Sequence, residues 1–274
     1  MASLSARQES ALARIFGERM RTDRTECRLY SADIGEMPRL VKPFVSAGLA
    51  GAVVRPQGED QVIELVRAAS AQGIRLVPRG ASTSGYGGVL PQSGAVVVDM
   101  SGMHQVLEVD RDALTVRVQP GLIWEELERR IEKEGLALRL YPSSTPSSTV
   151  AGWLAQGGSG FGSYEYGTFK ESVVSARLVL PSGETKVFEG EELRSYVADA
   201  EGITGIITEL TLRVRPLEPE VHRLFAFESA GRLGKALSAI SDKALPIWSI
   251  TFLNPESVTL KKRLPHRGHL TRFR

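Results

Sequence analysis

Val77-Pro78-Arg79-Gly80-Ala81-Ser82-Thr83-Ser84-Gly85 leaves the strand-like run Ile74-Arg75-Leu76-Val77 and turns at once into small residues and hydroxyls. Such a loop offers backbone N–H groups and side-chain O–H groups with little bulk around them. Two further segments share this character, Ser143 to Gly160 and Glu201-Gly202-Ile203-Thr204-Gly205-Ile206-Ile207. Each precedes or follows a strand-like or helix-like run. Clustered amides and hydroxyls of this kind suit a diphosphate and a flat ring with a polar edge. One segment would be weak evidence, because glycine-rich stretches also serve ordinary turns. Three in succession make a site.

Working outward from the first segment, the strand before it closes a βαβ unit. Ala52-Val53-Val54 is a short apolar strand that ends at Pro56. Val62, Leu65, Val66 and Ala69 recur at helical spacing, with Glu59 and Asp60 in the first turn and Gly73 as the stop. Before this unit, residues 1–45 read as a helix carrying Leu12, Ile15 and Phe16 on one stripe, then an irregular arm. Met37-Pro38 and Lys42-Pro43 forbid a continuing helix there.

After the first segment the pattern changes to mixed elements. Ala95–Val98, Val106–Val109 and Leu114–Val118 read as strands, the last closing at Pro120-Gly121. Ile123, Leu127 and Ile131 mark a helix that stops at Gly135, and Leu136–Leu140 follows as a strand. Val173–Leu180 and Thr185–Phe188 flank the turn Pro181-Ser182-Gly183-Glu184, and Ile206–Val214 alternates up to Pro216. Strands mixed with helices, without strict βα repetition, predict an α+β architecture with two sheet-containing lobes. Beyond Pro219 the pattern restarts, with strands at Leu224–Phe227 and Ile247–Phe252 around a helix over Leu233–Ile240. The expected division is an N-terminal helix and arm over 1–45, a main domain over 46–219, and the start of a second domain over 220–274. The last part is too short to complete a substantial fold.

Composition excludes several classes of function. The chain has 274 residues, with 34 basic and 32 acidic side chains. Lys261, Lys262, Arg263, Arg267, Arg272 and Arg274 crowd the end with no acid among them, and without them acids outnumber bases. A nucleic-acid binder would spread basic residues over its folded body, so nucleic acid is not an expected partner. The single cysteine, Cys27, excludes an internal disulfide framework and a multi-cysteine metal site; its charged surroundings read as inert. Ala11-Leu12-Ala13 is followed by Arg14 and Glu18, which denies it the apolar core of a signal peptide. No apolar run approaches the ~20 residues that span a bilayer. The expected location is cytoplasmic, at most peripheral to the inner membrane. His104, His222, His266 and His269 pair with no Cys, Asp or Glu at ligand spacing, and no metal is expected.

Two rival nucleotide motifs fail on spacing. No segment carries the Gly-Lys-Ser/Thr ending of a P-loop. For the G-x-G-x-x-G fingerprint, the first segment has Ala81 and Ser82 where a second glycine is needed, and the second runs from Gly158 and Gly160 to Ser163. The three segments in this order point to a flavin dinucleotide. The stretch Val77 to Gly85 resembles the pyrophosphate loop of FAD-linked oxidases of the vanillyl-alcohol oxidase type, the group with glycolate oxidase, D-lactate dehydrogenase and alkyl-dihydroxyacetone-phosphate synthase. Pro142 to Gly160, with Ser148-Thr149-Val150-Ala151-Gly152-Trp153, is similar to their second flavin-contacting segment, and Tyr166-Gly167 stands where they carry a similar pair. Ala200 to Glu209 resembles their S/A-E-G-T-L-G-V-I-T-E signature. The likeness runs in order from about Val53 to Pro216.

The resemblance implies a two-lobed FAD-binding PCMH-type domain, a βαβ lobe plus a mixed-sheet lobe, followed by a cap-like domain. It implies a cofactor site made of Pro78, Arg79, Gly80, Ala81, Ser82, Thr83, Ser84 and Gly85. To these it adds Ser143, Ser144, Ser148, Thr149, Ala151, Gly152, Gln156, Gly157, Gly158, Ser159, Gly160 and Tyr166, then Gly202, Gly205, Ile206 and Ile207. The first set would cradle the diphosphate, and Arg79 would either reach it or pair with a nearby acid. Ser143, Ser144, Ser148 and Thr149 would meet the ribityl chain and ring edge. The last group would meet the adenosine end. Ser84-Gly85-Tyr86-Gly87 holds neither histidine nor cysteine, so the FAD is expected to be non-covalent.

The implied activity is that of a dehydrogenase or oxidase taking hydride from a 2-hydroxy acid or related alcohol and passing electrons to a quinone or carrier protein. Lys170 is a candidate for the positive group beside the flavin; the alternative is a solvated lysine. Tyr164, Tyr166 and Trp153 read as core or pocket lining. No catalytic base is assigned, since the resemblance places it in the later domain. Two alternatives stay open: a non-catalytic FAD-binding subunit whose partner supplies active-site residues, and an NADPH enzyme like UDP-N-acetylmuramate reductase.

Overall fold

The computed structural model describes residues 4–35, 40, 48–243 and 245–263. Helix α1, Ala6–Phe16, starts from a capping box in which Ser5 and Gln8 exchange side-chain-to-backbone hydrogen bonds. Its buried Leu12 and Phe16 lie on the stripe the sequence marks. The arm that follows is more ordered than its composition suggests. It forms strand β1, Met20–Arg21, and a short helix α2, Arg24–Leu29, capped by Asp23. β1 is only two residues long and exists because it pairs antiparallel with β2, Ala52–Val54, so no local pattern announces it.

The first lobe is a four-stranded sheet ordered β1-β2-β4-β3. Helix α3, Glu59–Gln72, links β2 to β3, Leu76–Arg79, and β4, Val96–Asp99, inserts between them in parallel. Every residue of β2 and β4 is buried, as expected of strands covered on both faces. β3 begins two residues later than the apolar run Ile74–Val77 predicts. The reason is the helix end: Gly73 adopts φ +64 and both its N–H and that of Ile74 bond the Ala69 carbonyl, so Ile74 completes the helix cap. The strand then runs on through Pro78 and Arg79, which pairs with Asp99.

The second lobe is a six-stranded sheet. Strands β5, Val106–Asp110, and β6, Thr115–Val118, lead into amphipathic helix α4, Trp124–Glu132, and strand β7, Leu136–Leu138. Helices α5, Val150–Gln156, and α6, Ser163–Tyr166, follow. A hairpin of β8, Val173–Val179, and β9, Thr185–Glu189, is closed by helix α7, Gly190–Tyr196. Strand β10, Ile206–Pro216, is the spine: it pairs antiparallel with β6, β7 and β8. A core of Trp124, Leu127, Ile131, Trp153, Phe169 and Leu210 fills this lobe, and a second core under α3 fills the first. Val179 and Ile206 belong to the α3 core, so the second sheet packs directly onto the first lobe's helix.

Past β10 come helix α8, Ala230–Asp242, as the sequence predicts, and helix α9, Pro255–Arg263, which it does not. The strands expected at Leu224–Phe227 and Ile247–Phe252 are not formed. A strand needs a neighbour to satisfy its N–H and C=O groups, and here Leu224 and Phe225 are exposed at 96% and 71%. The run Leu136–Leu140 is likewise shortened, because β7 pairs with β10 only over Val214 to Pro216. Residues 264–274 of the basic end lie outside the described residues, as do His266 and His269. Among the described residues no helix is long and apolar enough to cross a membrane, and no group of three His, Cys, Asp or Glu could hold a metal ion.

Candidate functional site

The three small-residue segments converge because each is fastened to another by contacts that larger side chains would block. Strand β3 carries Pro78 and Arg79 to the sheet end, and Gly80 turns beneath Thr149. A Cβ at Gly80 would overlap the Thr149 hydroxyl. Thr149 is buried and caps α5 by accepting the Gly152 N–H at 3.3 Å. The other end of α5 is capped from the third segment: Asp199 N–H donates to Leu154 O at 3.0 Å and Glu201 N–H to Ala155 O at 2.7 Å. To reach these carbonyls Asp199 and Glu201 take φ of +59° and +48°, a conformation disfavoured for residues with a Cβ. Gly202 continues the turn at φ +79°, and a Cβ there would lie 2.5 Å from Pro78 Cγ. The first segment is thus tied to the second, the second to the third, and the third back to the first.

Between them lie two connected clefts. One, of about 750 Å³ with its open mouth, is walled by Pro78, Arg79, Gly80, Ser84, Gly88, Val89, Met100, Pro120, Thr149, Ala151, Gly152, Ala155, Gln156, Glu201, Gly202, Gly205, Ile206 and Ile207. The other, of about 1190 Å³ with its open mouth, is walled by Ala81, Thr83, Ser84, Gly85, Tyr86, Pro142, Ser143, Ser144, Ser148, Thr149, Gly152, Trp153, Gln156, Gly157, Gly158 and Ser159. Ser84, Thr149, Gly152 and Gln156 belong to both and form the waist. The first cleft is mainly apolar and the second is rich in serine and backbone. An elongated ligand with one apolar, one polar and one charged portion suits this shape.

All but three of the residues expected from the sequence line the clefts. Ser82 does not; it sits in the left-handed region at φ +57°, 9% exposed, and its Oγ has no hydrogen-bond partner among the described residues. Gly160 is a packing position, since a Cβ would overlap the Tyr141 carbonyl. Tyr166 is half-buried under the Arg139 guanidinium, 5.1 Å from its ring centre, and burial raises its pKa. Trp153 serves both roles read for it, lining the second cleft and stacking on Phe169 at 4.8 Å within the core. Tyr164 is exposed. Met100 and Pro120 were missed because only the topology, not any local motif, brings the ends of β4 and β6 to the cleft. Gly88, Val89 and Tyr86 lie just beyond the first segment, and Pro142, Ala155 and Glu201 lie within the segments already singled out.

Charge in the site is sparse. Among the lining residues Arg79 is the sole cation and Glu201 the sole anion. Lys170 is not part of the lining; its ammonium is held 2.8 Å from Asp199 Oδ2, so the candidate role beside the cofactor is not borne out by its position. Among the described residues Arg79 forms no ion pair with an acid. Its Nη1 donates to the Tyr30 carbonyl at 3.2 Å, its guanidinium lies 5.0 Å over the Tyr30 ring, and burial lowers its pKa. Behind it, Asp99 accepts from Tyr30 Oη and from Arg55 Nε, both at 2.7 Å. Burial alone would raise the Asp99 pKa, but the hydrogen bonds from Tyr30, Arg55 and Ser101 outweigh it and hold the carboxyl low. Cys27 is buried, and that burial raises its thiol pKa, which agrees with an inert role. His104 is exposed, its Nδ1 2.9 Å from Ser101 O.

This donor set fits FAD: serine and threonine hydroxyls on the cleft wall, a backbone cradle that side chains would fill, one arginine, and an apolar wall beside a polar one. Comparison with known proteins agrees. Residues 50–189 match the family described as FAD binding domain, and the chain belongs to that family of flavoproteins; FAD is its cofactor. It is 30% identical over 232 residues to the alkyldihydroxyacetonephosphate synthase of Dictyostelium discoideum, covering 81% of this chain and 38% of that protein. It is 30% identical over 206 residues to glycolate oxidase subunit GlcD of Bacillus subtilis (strain 168), covering 71% and 44%. It is 33% identical over 173 residues to the mitochondrial D-lactate dehydrogenase [cytochrome] of Arabidopsis thaliana, covering 60% and 30%. A solved structure of alkyldihydroxyacetonephosphate synthase superposes with a TM-score of 0.76 at 27% identity, over 88% of this chain and 47% of that one. The chain spans less than half the length of each of these relatives.

Proposed function

We propose that the chain carries the FAD-binding part of an oxidoreductase acting on a CH–OH group, in a 2-hydroxy acid of the glycolate or D-lactate kind or a related alcohol. Residues 46–219 are assigned to cofactor binding and residues 220–274 to the opening of a substrate domain. When bound, FAD supplies at N5 an acceptor for a hydride, which carries two electrons, with onward transfer of those electrons to a quinone or carrier protein. The chain's own part is to bind, orient and exclude water. The Gly80–Ser84 amides and the Thr83 hydroxyl hold the diphosphate, with Arg79 as the charged partner. Ser143, Ser144, Ser148 and Thr149 meet the ribityl chain and ring edge in the serine-rich cleft. Gly205, Ile206 and Ile207 cover the adenosine end in the apolar one. No histidine or cysteine is among the lining residues, which supports a non-covalent cofactor.

The observation that carries this reading is the mutual fastening of three segments around one continuous cleft. The test is anaerobic mixing of the FAD-loaded chain with glycolate, D-lactate or a longer 2-hydroxy acid. Bleaching of the visible flavin band supports an oxidoreductase that acts by itself. A bound but unreactive flavin assigns the chain to the FAD-binding portion of a larger protein or assembly, a reading supported by relatives of which this chain covers only 38% and 44%. Alkyl-transfer chemistry of the synthase kind is a second reading, carried by the extensive match to those synthases; it predicts no net bleaching with hydroxy acids.

A further inference from the structure

We propose that Tyr30, on the N-terminal arm outside the residues of the family match, is a positioning residue that holds the Arg79 guanidinium ready for the cofactor's diphosphate. The inference rests on the FAD reading above and concerns the arm, to which no cofactor role has been assigned. Two arginines approach the Tyr30 ring: Arg79 lies 5.0 Å from its centre and Arg55 5.4 Å. The ring is pinned. Its hydroxyl donates to Asp99 Oδ2 at 2.7 Å and accepts from Arg55 Nη2 at 2.9 Å, and its backbone N–H closes α2 on Glu26 O at 3.0 Å. Its carbonyl then accepts from Arg79 Nη1 at 3.2 Å, so one residue fixes the guanidinium both by face and by edge.

The arm is also clamped to the loop that follows Arg79. Asp33 Oδ2 accepts the Gly87 N–H at 2.9 Å, and a Cβ on Gly35 would lie 2.9 Å from Gly85 Cα. Among the described residues Arg79 has no carboxylate within ion-pairing distance. Asp99 is committed to Arg55 and Tyr30, and Asp33 to the N–H groups of Gly87 and Gly35. A half-buried cation held against an aromatic face on a cleft wall, with no carboxylate among the described residues paired to it, is suited to an incoming phosphate. Stacking preorganises the planar fork, so little side-chain freedom is lost on binding.

A double-mutant cycle on the full 274-residue chain tests this, with FAD affinity read by calorimetry or flavin fluorescence and folding read by thermal unfolding of the apo proteins. Loss of a charge-assisted contact in Arg79→Gln raises the FAD Kd about tenfold or more. Tyr30→Leu raises it about fivefold in the native background, as expected of a cation–π contact of roughly this strength, yet changes it less than about twofold on top of Arg79→Gln. Tyr30→Phe keeps the ring and the carbonyl and stays close to wild type. Should Tyr30→Leu fail to fold, Tyr30→Met in the same cycle removes the aromatic face while keeping bulk. Equal losses in both backgrounds, no loss in either, or a Tyr30→Phe defect as large as that of the leucine variant would overturn the inference while the FAD reading stands. A wild-type chain that binds no FAD would overturn both.

Discussion

Alanine at Gly202 would bring a Cβ to 2.5 Å from Pro78 Cγ and impose φ +79° on a residue that disfavours it. Gly73, at φ +64°, has nothing within 4 Å of such a Cβ. The pair separates backbone strain from closure of the site. Gly73→Ala is expected to cost about 1 kcal/mol of stability and leave FAD affinity unchanged, whereas Gly202→Ala costs roughly 1–3 kcal/mol and weakens FAD binding as well. Urea unfolding and FAD titration of both variants check this. Asp99 gives a pH prediction. Its folded pKa is depressed, so its contribution is fully present above the unfolded value near ~3.9 and is lost as pH falls through the folded value. Asp99→Asn should therefore be less stable than wild type at pH 7, with the gap narrowing in acid, as measured by urea midpoints across that range. At this scale the sequence displayed most of the cleft wall, because Gly80, Thr149 and Gly202 announce themselves by size and hydroxyl content. It did not disclose Tyr30 or Asp99, whose role comes from packing between an arm and a strand end far apart in the chain.

Helix α3 joins the two lobes, and a single carboxylate does much of the tying. Glu59 Oε2 accepts from Arg177 Nε on β8 at 2.7 Å and from Thr208 Oγ1 on β10 at 2.6 Å. Burial pushes its pKa up, but the Arg177 and Thr208 hydrogen bonds bring it below the ordinary value. The pair is partly exposed, which screens it, so Glu59→Gln is expected to cost only about 1 kcal/mol at neutral pH. Because the pKa is lowered, that difference is present above the unfolded value and disappears as pH falls through the folded one; denaturant midpoints at pH 7 and pH 3 measure it. Helices α3 and α4 were legible because each carries its own apolar stripe and a closing glycine, and α1 because of its stripe alone. Strands were legible as continuous buried apolar runs, as in β2 and β4, or by alternation, as in β6 and β10. The start of β3 was set by the Gly73–Ile74 helix cap, and β1 by its pairing with β2. The apolar runs at 224–227 and 247–252 have strand composition but no partner strand, so composition alone misled.

On the scale of the whole molecule, the segment after β10 is held to the body through Trp248. Its Nε1 donates to Arg139 O at 2.7 Å, its ring lies 5.6 Å from Tyr141, and Arg215 stacks over it at 5.3 Å. Tyr141, whose pKa burial pushes up to about 12, is immediately followed by Pro142 and Ser143 of the serine-rich cleft. Trp248→Ala is expected to release residues 217–253 and speed their proteolysis several-fold while leaving the thermal midpoint of the FAD-binding body within ~2 °C, as mass spectrometry of limited digests and a thermal melt would show. The account as a whole stands on three distant segments closing one cleft for one dinucleotide. Its most direct measurement is the uptake of FAD by the purified chain, followed by acid precipitation. The account predicts one FAD per chain, released wholly into the supernatant. A chain that takes up none, or a flavin that stays with the precipitated protein, would contradict it.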